Sequence, residues 1–320
     1  MRLSNIEVSI VCLTYNHQKY IRQALESFIS QETNFSFEVI VHDDASTDDT
    51  PKIILEYAER YPQIIKPILQ TENQYSQRKP IHKLYTLPMV SGKYVALCEG
   101  DDFWTDVKKL QKQYEVMENN LDCSMCVHTV QEIYKDGSPS TKKHPNFVLE
   151  ETKIKTQKYL DIKDKYPFQT SSYFMKSDLW KQLYLDPPKF RQISLVGDEP
   201  LLLFMVANGN IFYLSECMSC YRIFSEGSFS ERIKKDRKKR ATYKKNLYDV
   251  LCLFDEYTNH QYNCHLALYR GSMLLYQGNY REILKKENRE YFSHLSIIKK
   301  IYVLLCIPFP FLDRFFDKLI

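Results

Sequence analysis

Three polar clusters in this 320-residue chain have residue types and spacing that could do chemistry. The most concentrated is Glu99-Gly100-Asp101-Asp102, which follows the apolar run Tyr94-Val95-Ala96-Leu97-Cys98. Carboxylates two positions apart can share a hard divalent cation that keeps water and phosphate oxygens in its shell. Such a cation neutralises a leaving diphosphate and acts as a Lewis acid. Taken alone, the same triplet also reads as a solvated acidic turn. The other two clusters are Thr14-Tyr15-Asn16 and Asp43-Asp44, each closing an apolar run of its own. Further on, Asp198-Glu199-Pro200 stands just ahead of the apolar stretch 201–207, where a carboxylate makes a good helix cap.

The elements that must position these groups alternate between two periods. Residues 7–13, 37–42, 64–69 and 93–98 are short apolar runs that read as buried strands. Residues 18–30 carry Ile21, Ala24, Leu25, Phe28 and Ile29 at helical spacing, and 43–51 is a polar turn leading into a helix near 51–60. Strands alternating with helices at this spacing predict a mostly parallel sheet covered on both faces. Such sheets bind ligands beyond the carboxyl ends of their strands. All three clusters sit at those ends, so sequence order gathers them on one rim. Beyond the acidic cluster the pattern predicts a helix at 107–119 and strands at 123–134, 172–176 and 210–214. A helix at 198–208 is stopped by Gly209. Residues 70–83 read as a loop, and 135–165, Lys-rich and weakly patterned, as a surface excursion. From about 231 onward the pattern is helical only.

Val8-Ser9-Ile10-Val11-Cys12-Leu13-Thr14-Tyr15-Asn16 opens the chain, and Glu38-Val39-Ile40-Val41-His42-Asp43-Asp44-Ala45-Ser46-Thr47-Asp48 follows. Then comes Gly92-Lys93-Tyr94-Val95-Ala96-Leu97-Cys98-Glu99-Gly100-Asp101-Asp102-Phe103-Trp104. In order and spacing these motifs resemble the inverting family-2 glycosyltransferases of the GT-A fold, over about residues 7–230. The continuation Thr105-Asp106 and Lys109-Leu110-Gln111-Lys112-Gln113 is similar to a bacterial surface-polysaccharide branch of that family. The resemblance implies an α/β GT-A domain at 1–230, Rossmann-like, with a mostly parallel sheet between helices. Its nucleotide-sugar half would be about 1–105 and its acceptor half about 106–230, with a basic helical region at 231–320.

The same resemblance implies an activity and residue roles. A sugar would pass from a nucleotide-sugar donor, UDP-linked by expectation, to a hydroxyl of a glycan or lipid-diphosphate-linked glycan. The setting would be capsule, O-antigen or exopolysaccharide synthesis, with Mn²⁺ or Mg²⁺ as cofactor. Thr14, Tyr15 and Asn16 would line the nucleotide pocket, and Asp43 would accept a hydrogen bond from uracil with Asp44 beside it. Glu99 and Asp101 occupy the two acidic positions of the family's DxD motif. Asp101 would be the direct metal ligand, and Glu99, longer than the usual Asp, would reach ribose or act through water. Asp102 would support that shell. Asp198 matches the place of the family's base, with Glu199 in reserve, although the usual Glu-Asp order is not kept. Arg222 would supply charge to the diphosphate or serve as a structural ion-pair partner. The His that follows a comparable Tyr-Arg in relatives is missing, since Ile223-Phe224-Ser225 stands there.

Composition narrows the alternatives. With 44 basic and 40 acidic side chains the chain is too balanced to mark a nucleic-acid partner by bulk charge. Its 9 cysteines, odd in number and irregularly spaced, argue for reduced, buried thiols in a cytosolic protein. Cys123-x-x-Cys126 and Cys217-x-x-Cys220 tempt a zinc reading, but strand positions i and i+3 face opposite ways. His128, Arg78 with Lys79, and Thr170-Ser171-Ser172 each carry a bland reading beside a functional one: a buried satisfied histidine, solvated loop charges, a turn. The first apolar run is too short for a signal peptide, and no run reaches the roughly 18 apolar residues of a spanning helix. The expectation is therefore a cytoplasmic protein, peripheral on the inner face of the plasma membrane. The anionic lipid would meet the basic run 231–245 and the segment 301–316, whose uncharged part is broken by Pro308 and Pro310. Packing of that segment on the rest of the protein is the competing reading. Nucleotidylyltransferases and nicotinamide dehydrogenases fail for want of a glycine-rich loop after the first strand. A non-catalytic glycan-binding or assembly-scaffold protein on the same fold remains the rival, kept open by Glu99 and the missing His.

Overall fold

A computed structural model of the chain describes residues 5–149, 152–163, 167–223 and 237–312. The chain forms two compact units, Met1–Pro187 with Phe204–Ser225, and Pro188–Leu203 with Glu226–Ile320.

The first unit opens with β1 (Ile6–Thr14), α1 (Ile21–Ile29), β2 (Ser36–Asp43), α2 (Thr50–Arg60) and β3 (Ile65–Leu69). β4 (Tyr94–Leu97), β5 (Phe103–Trp104), α3 (Lys109–Asn119) and β6 (Cys123–Ile133) follow. Then come β7 (Pro139–His144), β8 (Lys153–Ile154), α4 (Thr156–Ile162), β9 (Phe174–Lys176) and α5 (Ser177–Leu185). α1 forms because Ile21, Ala24, Leu25 and Phe28 recur on one face, and all four are fully buried. They pack with Val8, Ile10, Cys12, Val39, Val41 and Ala96 of the sheet in one core. Each such aliphatic side chain contributes about 1.5–3 kcal/mol by leaving water. α2 begins with Pro51 in its first turn, a position that needs no backbone donor.

The last strand, β10 (Asn210–Arg222), completes a sheet of order β3-β2-β1-β4-β9-β6-β10-β5, with β7 on β6 and β8 on β10. β3, β2, β1 and β4 run parallel, as do β6 and β10. β9 lies antiparallel between β4 and β6, and β5 and β8 pair antiparallel with β10. The parallel character predicted from alternation therefore belongs to the first half, and the second half is mixed.

Two expectations are corrected here. The described part of the weakly patterned stretch 135–165 is not merely a surface excursion: β7 forms a hairpin with β6, and α4 buries Tyr159, Leu160 and Ile162. β7 carries no apolar alternation because only Ser140 of its residues is buried, which hid it. β10 runs well past residue 214. Register shifts between Leu214 and Ser219 let it bend through the polar Ser215-Glu216 and continue to Arg222.

The second unit is helical. α6 (Lys189–Gln192) precedes α7 (Asp198–Ala207), and the unit boundary falls inside α7. α8 (Arg237–Tyr257), α9 (Asn263–Tyr276), α10 (Tyr280–Ile283), α11 (Arg289–His294) and α12 (Ile297–Cys306) follow. Phe190 of α6 packs edge-on against Phe254 and Tyr257 of α8, with ring centroids 5.6 and 5.4 Å apart. A small second core gathers Leu275, Tyr280, Ile283, Tyr302, Val303 and Cys306. Among the described residues no helix is long and apolar enough to cross a membrane.

Candidate active site

The three polar clusters meet at one edge of the sheet, because β2, β1 and β4 are parallel neighbours and each ends in one of them. Thr14 pairs in register with Asp43. The Asp44 amide donates to the Thr14 carbonyl at 3.0 Å, and the Gly100 amide donates to the Leu13 carbonyl at 2.9 Å. The rim is thus hydrogen-bonded across all three strands.

Side chains then zip the first two loops together. Asn16, in the left-handed region at φ 55°, donates its amide to Ser46 Oγ at 2.8 Å and accepts from the Thr47 amide at 2.8 Å. Both Asp43 oxygens are taken by Ser46, one by its amide at 2.9 Å and one by its hydroxyl. Asp44 accepts from the amides of Gln74 at 2.7 Å and Tyr75 at 3.0 Å, which ties the 70–81 loop to the rim. Asp43 and Asp44 are both buried, whereas Tyr15 and Asn16 face solvent. Arg78 and Lys79 lie exposed on the 70–81 loop, as solvated charges do.

The acidic cluster is the turn between β4 and β5, and β5 is drawn away to pair with β10. One carboxylate oxygen from each of Glu99, Asp101 and Asp102 lies within 4.8 Å of the others. Glu99 is exposed, Asp101 is 9% exposed and Asp102 is 1% exposed. Asp102 Oδ1 accepts the Arg222 amide at 2.8 Å, while its Oδ2, buried, has no partner. Burial, then repulsion from Asp101 and Glu99, pushes the Asp102 carboxyl well above the usual range, with Arg222 opposing. Beneath the turn, burial first and the acidic cluster second push the Cys12 and Cys98 thiols up, so both stay protonated.

Two further polar atoms at this rim are buried without partners, Thr14 Oγ1 and His17 Nδ1. His17 Nε2 stands 3.9 Å from Asp101 Oδ2. Gly100 sits against both: a Cβ there would come within 2.6 Å of Thr14 Oγ1 and 3.1 Å of His17 Nδ1. Three carboxylate oxygens within reach of one another, with unsatisfied polar atoms behind them, fit a divalent cation with oxygen ligands.

Arg222 lies behind the cluster and is buried. Its Nε donates to the Asp101 carbonyl at 3.0 Å, its Nη1 to the carbonyls of Tyr134 and Lys135 at 3.2 Å, and its Nη2 to Gln23 Oε1 at 3.2 Å. The guanidinium also covers the Tyr20 ring at 4.4 Å. These contacts fix the backbone of Asp101 and Asp102 from the far strand.

Asp198 and Glu199 open α7 in the second unit, with the Glu199 amide donating to Asp198 Oδ1 at 2.9 Å. Asp198 is exposed. The segment leading to it is held by Asn246 of α8, which donates to the Ile193 carbonyl at 2.8 Å and accepts the Leu195 amide at 3.0 Å.

Several side chains that tempted a functional reading are structural. Ser171 and Ser172 are fully buried, one bonded to Ser219 Oγ at 2.9 Å and the other to the Gln169 carbonyl at 2.7 Å. His128 is fully buried, its Nδ1 2.8 Å from the Thr129 carbonyl, and burial followed by Lys109 drives its pKa well below 6.5. Among the described residues the only His, Cys, Asp and Glu group close enough to hold a metal is Glu99, Asp101 and Asp102, so the paired cysteines form no such site. Sequence reading passed over His17, although it directly follows Thr14-Tyr15-Asn16. It also missed Lys109, which reads as a surface position. Its ammonium is enclosed 3.9 Å from the centre of the Trp104 ring and 2.7 Å from Gln113 Oε1, and burial pushes it down to about 7.

Residues 9–183, more than half of the chain, match the family model described as glycosyl transferase family 2. The chain belongs to that family. This family-2 glycosyltransferase is 46% identical over 140 residues to an uncharacterised protein of Mycobacterium tuberculosis. That match spans 43% of this chain and 39% of the relative's own length. An uncharacterised glycosyltransferase of Methanocaldococcus jannaschii is 28% identical over 264 residues, 80% of this chain and 81% of that one. The minor teichoic acid biosynthesis protein GgaB of Bacillus subtilis is 22% identical over 317 residues, 93% of this chain and 32% of its own length. Among solved structures, S. aureus TarS 1–349 in complex with UDP-GlcNAc superposes with a TM-score of 0.57 at 16% identity, covering 90% of this chain and 79% of that one. The mannosyltransferase PcManGT of Pyrobaculum calidifontis, in complex with GDP-Man and Mn²⁺, gives 0.52 at 15% identity, over 96% of this chain and 82% of that one. The fold is that of the GT-A glycosyltransferases.

Proposed function

We propose that this glycosyltransferase moves a sugar from a UDP-linked donor to a hydroxyl of a glycan or lipid-diphosphate-linked glycan, inverting the anomeric centre. The product belongs to a bacterial surface polymer of the capsule, O-antigen, exopolysaccharide or teichoic acid kind. The observation that carries the reading is the convergence of Glu99, Asp101, Asp102, Thr14 and His17 on one rim, with Asp102 Oδ2 and Thr14 Oγ1 buried and unpartnered there.

Asp101 and Glu99 would hold Mn²⁺ or Mg²⁺, with Asp102 behind them, and the ion would supply charge against the leaving diphosphate. The chain's own groups do the rest. Tyr15 offers an exposed ring at the mouth of the rim, where a base can stack. Asp43 accepts a hydrogen bond from the uracil ring, with Asp44 beside it, while Ser46 holds the Asp43 carboxylate in place. Arg222 keeps the Asp101-Asp102 backbone in place from β10. Asp198 is the proposed base that takes the proton from the acceptor hydroxyl, with Glu199 in reserve. The lipid carrier implies work at the inner face of the plasma membrane. In the expected membrane segments, residues 231–236 and 313–316 lie outside the described residues.

Release of UDP from a panel of UDP-sugars with Mn²⁺, compared between the wild type and Asp101→Asn, tests this. Metal-dependent release that falls about 10²–10³-fold in the variant is the expected outcome. GDP- and dTDP-sugars with lipid extract as acceptor extend the panel. If none of these is turned over and UDP binds no better with metal than without, the catalytic reading fails and the binding-module rival takes its place.

A further inference from the structure

α12 is apolar on both faces, and only one of them is covered. Tyr302, Val303 and Cys306 are buried in the second core, where the Tyr302 hydroxyl meets the Tyr280 hydroxyl at 2.6 Å. On the other side Ile297, Ile298, Ile301, Leu304 and Leu305 follow the i, i+1, i+4, i+7, i+8 spacing of one helix face. They are 76, 61, 52, 49 and 39% exposed, and Phe311 just beyond is 62% exposed. The helix is properly begun, since Ser296 Oγ accepts the Lys299 amide at 3.4 Å. A contiguous apolar stripe of this kind marks an interaction surface.

We infer that this stripe seats the protein on an anionic lipid bilayer, with α12 lying in the plane of the interface. Charge selects that occupant. Lys299 and Lys300 are the only charged residues in 297–312, and residues 280–312 as a whole carry six basic and three acidic side chains. A helix of ten residues is about 15 Å long, half the hydrocarbon thickness, so it lies on the bilayer and does not span it. Apolar residues that enter the acyl boundary, with basic side chains on the same short helix to attract anionic headgroups, are the two ingredients of interfacial binding. The inference deepens the lipid-linked acceptor reading. Its test reads vesicle binding without any donor, so either can fail alone.

The full chain is sedimented with vesicles of phosphatidylcholine alone and of phosphatidylcholine doped with phosphatidylglycerol. Binding to the doped vesicles only, weakened by salt, is expected. Ile298→Asp with Leu305→Asp should lower that partitioning at least about tenfold, and Lys299→Glu with Lys300→Glu should abolish its salt dependence. Leu121→Asp, at a still more exposed apolar site in the first unit, serves as the control and should bind as wild type. Phe311→Trp adds a probe whose emission should shift to the blue on vesicles, since both native tryptophans are buried. Equal binding by the Ile298/Leu305 variant would overturn the inference. So would a dimer of the wild type that the same variant converts to monomer, because a second copy would then be the occupant.

Discussion

The amino and carboxyl ends of one sheet each bury a carboxylate and treat it in opposite ways. At the amino end Glu38 is fully enclosed, yet its oxygens are saturated. Oε1 accepts from Ser9 Oγ at 2.6 Å and the Ser91 amide at 2.9 Å, and Oε2 pairs with Lys66. Burial alone would raise its pKa, but the bonds from Lys66, Ser9 and Ser91 outweigh that and hold it below the usual value. At the carboxyl end Asp102 has one amide donor, an unpartnered oxygen and two acidic neighbours, and its pKa is driven up. A buried charge is stable when the chain itself completes its shell. Glu38 is completed from within, whereas one oxygen of Asp102 is left without a partner. One rim completes its carboxylate within the chain, and the other is where the proposed metal and donor would bind.

The sharpest way to break this contrast is Glu38→Ala. It leaves Lys66 partly solvated, so the cost should fall near the low end for a broken buried pair, about 3 kcal/mol in urea unfolding. Metal affinity at the other rim should not move. The pH dependence has a definite sign. Because the folded-state value is depressed, Glu38 stabilises fully above the unfolded carboxyl pKa of about 4.3 and loses that contribution as pH falls through the lower folded value. The gap between the wild type and Glu38→Gln should therefore close in acid, and a gap unchanged there would refute the assignment.

The glycines at the two ends sharpen the comparison. A Cβ on Gly92 would meet the backbone of Ser9 and Val8 at 2.6 and 2.7 Å, whereas one on Gly100 would meet the Thr14 side chain. Gly92→Ala should cost more stability than Gly100→Ala, for which about 1–3 kcal/mol is expected. Only Gly100→Ala should impair Mn²⁺ binding by calorimetry. The reverse pattern would mean the rims are not functionally distinct. The smallest effect expected is at Asp102. Asp102→Asn removes a buried carboxyl whose ionised form burial and its acidic neighbours disfavour, so the metal-free protein should gain about 1 kcal/mol while the rise in Tm on adding Mn²⁺ shrinks. A variant less stable without metal would show that Asp102 is compensated within the chain after all.

The rim was legible in sequence because its signals are local. Apolar runs of strand length, each closed by Thr14-Tyr15-Asn16, Asp43-Asp44 or Glu99-Gly100-Asp101-Asp102, need only the right-handed crossover rule to be brought side by side. The acidic triplet and its spacing to Asp43 also carried the family. Less legible were groups whose neighbours are far along the chain. Lys109 reads as a helix-surface lysine until Trp104 and Gln113 close over it. β7 looks like a charged loop because its pairing with β6, not its own pattern, makes it a strand.

By itself the sequence determined the parallel half of the sheet, the order of its polar loops and the family, since periodicity and turn chemistry act over a few residues. The tertiary structure decided which carboxylate is satisfied and which is not. Arg222 reaches Asp102 from 120 positions away, and Ser9 and Lys66 find Glu38 only because their strands are neighbours. It also decided which face of α12 is left to solvent. A helix with apolar residues on two faces has no outward side until packing on Tyr280 and Ile283 chooses one.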